Sequence, residues 1–412
     1  MKHKNIPKGY KDSPLGIIPK EWEVKRLGEI CDKITDGTHG TPQKQNSGKP
    51  FLTAIHIKDG WIDYDNCYYL TEKDHEEIYK RCNPQFGDIL MVNIGAGVCS
   101  VAMNRVNYEF SLKNVALLKP NLHFCTGKYL EYILQYRKKI IISSLLNGGA
   151  QPFLGLEDIS KIKIIVPPIT EQKKIAKILS VWDEAIEKQT KLINALTRRK
   201  HALSQQLLTG EKRLPGFNRK WEKVTIKKIA KEIKTRNKNN RNLEVLSCTK
   251  YDGLVPSLKY FGRQIFSKDL NQYKIAPKYC FAYATNHIEE GSIGYQDLYN
   301  ESLISPMYTV FETNKNKVDD FFLYKLLKSH QFIYIYSTMM EGSINRRGGL
   351  NWSNFSTIKF NLQPMQEQKA ITKIISTAES TINSAKQLLE SFHLQKQGLM
   401  QQLLTGKINI QI

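Results

Sequence analysis

Three stretches concentrate side chains that hold phosphates or read base edges. Thr35 to Lys49, TDGTHGTPQKQNSGK, sets hydroxyls, amides, an imidazole and lysines among small residues, as a loop entering a groove would. Its candidate contacts are Thr38, His39, Lys44 and Gln45. Lys227 to Arg241 carries seven Lys or Arg against one acid, and Lys234, Arg236, Lys238 and Arg241 suit phosphate anchoring. Asn345, Arg346 and Arg347 lie between glycines, which let backbone approach a phosphate closely. The plain alternative for each is a solvated loop or charged face.

Catalytic chemistry finds less support. No Gly-x4-Gly-Lys-Ser/Thr loop is present for ATP, and the nine His show no metal-ligand spacing. Gly95-Ala96-Gly97 lacks the third glycine of a nucleotide-binding turn. The seven cysteines are scattered and read as reduced core residues of a cytoplasmic protein, and no apolar run reaches membrane-spanning length. A formal net charge of +22 favours a polyanionic partner, nucleic acid first, although a Lys-rich composition is also common in chains from AT-rich genomes.

The elements that must position these groups are announced by a repeat. Pro168 to Gly210 aligns without a gap to Pro364 to Gly406 at an offset of 196, with 18 identities in 43 positions, including Glu171/Glu367, Gln172/Gln368 and all of QQLLTG. Apolar residues advance by steps of three and four: Ile175, Ile178, Trp182, Leu192 and Leu196 in one copy, Ile371, Ile374, Leu388 and Phe392 in the other, with Ile186, Ile193, Ile382 and Leu389 beside them. That is a coiled-coil seam with a broadened face. Thr170 is placed to cap the first helix, while Gly210 and Gly406 are placed to end both in the left-handed conformation. Residues 171 to 208 predict a rod of roughly 57 Å at about 1.5 Å per residue. Two such helices are expected to pack against each other.

A weaker echo relates Pro19 to Leu27 to Asn218 to Ile226, so the chain is two units of one length. Within each, short strand-like runs precede the helix: Phe51 to Ile57, Asp88 to Asn93, Val115 to Leu118 and Ile162 to Val166, then Leu243 to Cys248, Cys280 to Ala284, Tyr308 to Phe311 and Ile358 to Asn361. Amphipathic helices are expected at Thr126 to Leu146 and Val318 to Met340. The chain divides at 1–165, 166–210, 211–362 and 363–412 into a first variable domain, a central helix, a second variable domain and a C-terminal helix. A duplicated frame with divergent inserts implies two different things being read.

Several motifs resemble the specificity subunit of type I restriction-modification systems across the whole chain. They are Pro167-Pro168 with Glu171-Gln172, repeated as Pro364 with Glu367-Gln368; the Gln-Gln-Leu-Leu-Thr-Gly helix ends; Ile18-Pro19 with Trp22; Asp36-Gly37-Thr38-His39; and Phe86-Gly87-Asp88-Ile89-Leu90. The second copy departs at Gln363, where the first has Pro167, and at Ala276 to Phe281, where the first has Gly87 to Leu90. The resemblance implies an α+β chain in which two target recognition domains are separated by two long antiparallel helices with pseudo-two-fold symmetry. It further implies a non-catalytic subunit, each domain reading one half of an interrupted asymmetric site in double-stranded DNA. The helices would space the domains and dock two methylation subunits, with the Glu-Gln pairs and the seam as frame. S-adenosylmethionine, ATP and Mg would belong to those methylation subunits and to motor-nuclease subunits, none to this chain.

Asn83-Pro84-Gln85-Phe86 resembles the Asn-Pro-Pro-aromatic loop with which adenine methyltransferases hold a flipped base, but lacks the second proline. Two recognition units and two helices also leave no room for a methyltransferase domain. The alternative from another class is a coiled-coil scaffold with a basic nucleic-acid-binding surface. The rod, about 17 base-pair steps long at ~3.4 Å each, would serve as a ruler only in the first reading.

Overall fold

A computed structural model of the chain describes residues 6–95, 97–145, 153–341 and 349–408. The chain falls into two compact units, Met1–Thr190 with Gln387–Ile412, and Lys191–Lys386. Each boundary lies within one of two long helices, Ile169–Thr209 and Met365–Leu403.

The first unit opens on a clamp. Strand Glu23–Arg26 pairs antiparallel with Lys163–Val166, bringing the two ends of the variable segment together just ahead of the long helix. Between them a four-stranded sheet runs Val101–Met103, Ile89–Val92, Val115–Pro120, Cys31–Asp36. A second sheet runs Ser111–Lys113, Lys49–Thr53, Tyr68–Leu70, its first pair parallel. The expected strand Phe51 to Ile57 stops at Thr53 because the buried His56 turns back, its Nδ1 accepting from the Thr53 amide at 2.9 Å. Helix Gly127–Leu145 covers the sheet and seats Tyr129, Leu130 and Ile133 in the core.

The second unit repeats this plan with other residues. Glu222–Thr225 pairs with Lys359–Leu362 as the clamp. Its four-stranded sheet is Ile293–Tyr295, Phe281–Ala284, Tyr308–Thr313, Ala230–Ile233, strand for strand the order of the first. In its other sheet Val245–Thr249 again has a parallel neighbour, Glu301–Ile304. The helix expected over Val318 to Met340 is two, Asp320–Leu327 and His330–Glu341. Ser329 explains the break: its hydroxyl accepts the Phe332 amide at 3.4 Å, a cap-like bond competing with the helical ladder.

The seam of the long helices is one residue off the expected one at every second step. Leu179 and Ile193 are buried, whereas Ile178 and Leu192 are 36% and 47% exposed. In the second helix Ile371, Ile375 and Ile382 are buried, Ile374 is half-buried and Leu388 is 46% exposed. The buried and half-buried positions step by four, then three, starting from Ile175 and Ile371, so both copies keep one phase at the 196-residue offset. Periodicity alone could not choose between i+3 and i+4 neighbours that are all apolar. Thr170 is no cap either. The helix starts at Ile169, the Gln172 amide donates to Pro168 O at 3.0 Å, and Thr170 is exposed within the first turn.

Each unit closes on the end of the other copy's helix. Leu403 and Leu404 lie in the first unit's core with Trp22, Ile175 and Leu179, and Leu207 and Leu208 lie in the second's with Ile371 and Ile375. The start of one long helix and the end of the other therefore run antiparallel within each unit. In the first unit Trp182 meets Phe392 edge to face at 5.8 Å, and Lys396 and Lys128 reach Asp183. Glu379, 196 positions after Asp183, receives Lys200 and Lys325 in the second. Gly210 and Gly406 end the helices at φ +80° and +69°, as expected, and a Cβ on Gly210 would meet the Trp221 ring at 2.4 Å.

Burial pushes the thiols of Cys31, Cys248 and Cys280 up to about 12 and those of Cys82 and Cys99 up to about 11, from an ordinary 9.0. Above pH 9 the unfolded chain releases protons that the folded chain retains, so this contribution to stability is whole below that pH and shrinks as pH climbs toward 11–12. The expected result is slow labelling by a thiol reagent at pH 8 until denaturant is added, with a falling denaturation midpoint above pH 9.

Candidate nucleic-acid interface

The two stretches picked for phosphate and base contact emerge at the same place in the two units. Each follows the sheet-edge strand behind the clamp, Cys31–Asp36 in the first and Ala230–Ile233 in the second. Their sequences share nothing. Their construction does.

In the first unit the loop is pinned at both feet. The Thr38 amide donates to Leu112 O at 2.8 Å, and the Gln45 amide to Tyr69 O at 2.9 Å. Thr38 is thus half-buried in a bridge to Lys113, and the residues between the pins, including exposed His39 and Lys44, form the projecting part. Asp36 organises the base of the loop. Its buried carboxylate pairs with Arg81 and accepts from or faces His39 Nε2 at 2.7 Å, while His39 Nδ1 lies 3.2 Å from Asn114 Oδ1. The imidazole is therefore held at both nitrogens while its side chain stays half exposed. Lys44 Nζ sits 3.3 Å from the centroid of the Tyr68 ring, and Lys113 reaches Thr41 Oγ1. Gly37 passes so close to the Leu112 carbonyl that a Cβ would lie 1.9 Å from its oxygen. Gly37→Ala is expected to displace the loop and its pin, weakening DNA binding at least tenfold while far-UV circular dichroism stays unchanged; wild-type affinity would show that the loop's seat does not matter.

In the second unit Arg236 bridges to Lys274, and its guanidinium donates to Gln272 O at 3.0 Å and Oε1 at 3.1 Å. Asn237 is buried and closes the next turn, its Oδ1 accepting the Arg241 amide at 2.9 Å and its Nδ2 donating to Arg241 O at 3.0 Å. Lys238 is left exposed at the tip with Asn239 and Asn240, the last at φ +49°. Lys234 and Arg241 are engaged, Lys234 with Glu232 at 3.2 Å and Arg241 in a fork with Glu301 that raises the guanidinium's pKa. Exposed pairs of this kind are worth little against solvent screening, so a phosphate competes for either cation. Asn345, Arg346 and Arg347 lie outside the described residues.

The organising residues Arg81, Asn114, Asn237 and Gln272 were missed in sequence. Three of them stand far along the chain from the group they hold, and only Asn237, an amide amid seven cations, left a local hint.

The repeated Glu-Gln pair is buried frame. Glu171 Oε2 accepts from Trp22 Nε1 at 3.0 Å, and Glu367 Oε2 from Trp221 Nε1 at 3.0 Å, with Arg213 added as a fork. Gln172 accepts the Thr126 amide at 2.9 Å and donates to Phe124 O and Pro167 O, both at 2.8 Å. Gln368 does the same with Asp319 N, Lys317 O and Gln363 O. Each pair ties the clamp, the covering helix and the long helix together within its own unit. The departures in the second copy are absorbed. Tyr279 takes the left-handed place of Gly87, at φ +68° against +90°, and its amide donates to Gln296 O as that of Gly87 does to Asn104 O. Asn83 to Phe86 forms the turn that ends helix Glu72–Cys82, with Asp88 accepting the Gln85 amide at 2.8 Å.

A family model described as the type I restriction modification DNA specificity domain matches residues 19–198. A Methanocaldococcus jannaschii chain described as the MjaX type I restriction enzyme specificity subunit is 27% identical over 97% of both chains. The MjaVIII specificity subunit of the same organism is 24% identical over 95% of this chain and 94% of its own. Over nearly its whole length the chain is similar to type I restriction-modification specificity subunits. Solved structures share the whole fold: the S subunit from M. genitalium at TM-score 0.55 and 16% identity, covering 93% of this chain and 96% of that one, and HsdS from Thermoanaerobacter tengcongensis at TM-score 0.52 and 14% identity, covering 95% and 98%. A specificity subunit selects DNA sequence and is the non-catalytic part of its system. No helix among the described residues is long and apolar enough to cross a membrane.

Proposed function

We propose that each unit of this specificity subunit reads one half of an interrupted, asymmetric site in double-stranded DNA. The loop of residues 37–48 and the loop of residues 234–244 supply the groove contacts. What supports this is the common seat of the two loops: one strand order, one edge strand, a backbone bridge holding each loop, parallel to Lys113 in the first and antiparallel to Lys274 in the second, and unlike residues at the tip. A frame copied with its loops exchanged is what two different half-sites require. Thr38, His39, Lys44 and Gln45 serve the first half-site, and Lys234, Arg236, Lys238 and Arg241 the second, with Asn345, Arg346 and Arg347 assigned there on sequence alone. Phosphates fix register through the cations, and amides and hydroxyls read base edges.

The long helices, one of 41 residues and about 60 Å, space the half-sites. They dock two methylation subunits, and their outward apolar residues Ile178, Leu192 and Leu388 are suited to that contact. S-adenosylmethionine is bound by the methylation subunits, and ATP and Mg act in motor-nuclease subunits of the cytoplasmic complex. The test is genomic: methylated adenines mapped in a strain with and without this gene should differ by one bipartite motif. Loss of a continuous motif, or of none, contradicts the proposal.

A further inference from the structure

The second unit carries an apolar patch that its DNA loop does not use. Five large side chains between positions 251 and 265 face solvent: Tyr251 at 81% exposure, Leu258 at 53%, Tyr260 at 50%, Phe261 at 42% and Ile265 at 50%. Singly exposed apolar residues are ordinary on any protein, and the first unit has its share. Here Leu258, Tyr260 and Phe261 lie on one short helix, with Tyr251 and Ile265 close to it in sequence. Tyr260 and Phe261 stack edge to face at 5.0 Å, and Leu258 and Phe261 share a face of the short helix Ser257–Phe261. The Tyr260 hydroxyl donates to Asp252 at 2.7 Å, which brings the neighbouring Tyr251 to the same place.

We propose that this patch is a docking surface for a partner protein, namely an apolar face rimmed by carboxylates on a methylation subunit. Three observations favour that occupant over DNA. The patch and the DNA loop flank opposite ends of strand Val245–Thr249, the loop running into it and the Tyr251 turn leaving it, about 16 Å apart at ~3.3 Å per residue. Duplex DNA stacks its bases on one another and shows a protein phosphates, sugars and base edges, so exposed aromatic faces gain little there. Tyrosine and phenylalanine within a basic rim are the composition of a protein-interface core. Lys250, Lys259 and Arg263 stand among these residues in sequence, and Asp252, the one acid between positions 250 and 265, is occupied by Tyr260. Lys250 Nζ also lies 5.5 Å from the Tyr251 ring centroid. The complementary surface is acidic.

The inference rests on the proposal that this chain assembles with methylation subunits. The test uses the full chain co-purified with a methylation subunit from the same host, bound to duplex DNA of the mapped motif. A photo-crosslinking phenylalanine analogue at position 251 should join the methylation subunit, and none of the label should reach DNA. Tyr251→Ala with Phe261→Ala should weaken assembly on the order of tenfold or more while leaving the thermal midpoint unchanged, because both rings are exposed. Crosslinks to DNA, or normal assembly by the double variant, would overturn the docking surface and leave the DNA-reading proposal standing. No assembly by the wild-type chain would defeat the docking surface together with the assembly proposal on which it rests.

Discussion

Truncation after Lys386 will unfold the first unit, although every residue removed lies at the far end of the sequence. Leu403 and Leu404 are fully buried in that unit's core, Leu399 and Met400 pack against it, and Tyr10 donates from its hydroxyl to Gly406 O at 2.9 Å. Burying one leucine stabilises by about 1.5–3 kcal/mol, and a whole domain is stable by only about 5–15 kcal/mol. Removing two core leucines, the Trp182–Phe392 contact and the Lys396–Asp183 pair leaves too little. Hydrogen exchange reads this by unit: protection of Ile89–Val92 and Val115–Pro120 should be lost, while that of Phe281–Ala284 and Tyr308–Thr313 in the second unit persists. Wild-type protection of the first unit in the truncated chain would show that the C-terminal helix is an accessory.

Gln172→Ala will destabilise the same unit severely, and Gln368→Ala its counterpart. Each substitution strips partners from one backbone amide and two carbonyls at the junction of three segments. A buried polar group left unpaired costs about 1–3 kcal/mol, so a loss of roughly 3 kcal/mol or more is expected from either variant, and a lower midpoint in denaturant follows. Gln172→Glu should fail to rescue, because a carboxylate cannot donate to Phe124 O and Pro167 O. An unfolding free energy within about 0.5 kcal/mol of wild type would mean that the repeated motif is kept for a partner rather than for the fold.

The duplicated helices were legible because a seam writes itself into sequence at a fixed period, and their Gly ends because few residues adopt positive φ. The choice of seam was not. Ile178 and Leu179, or Leu192 and Ile193, are chemically equivalent until something packs on them. The equivalence of the two variable segments was also hidden: strand order depends on which backbones pair, and Tyr279 in the place of Gly87 erases the one local signature they might have shared. At the candidate interface the projecting loops stood out by composition, whereas His39 reads as a free base reader in sequence and is a held residue in the fold. Its partner Asp36 ends strand Cys31–Asp36, and Asn114 is the bend just ahead of Val115–Pro120, a strand that meets the first only in the sheet.

The division of labour between the units is tested most directly by exchanging one loop. Residues 37–48 should be replaced by the corresponding loop of a related specificity subunit and the methylated adenines of the host mapped again. One half of the bipartite motif should change, with the other half and the spacer length retained. A motif unchanged, or changed in both halves, would contradict independent reading by two units.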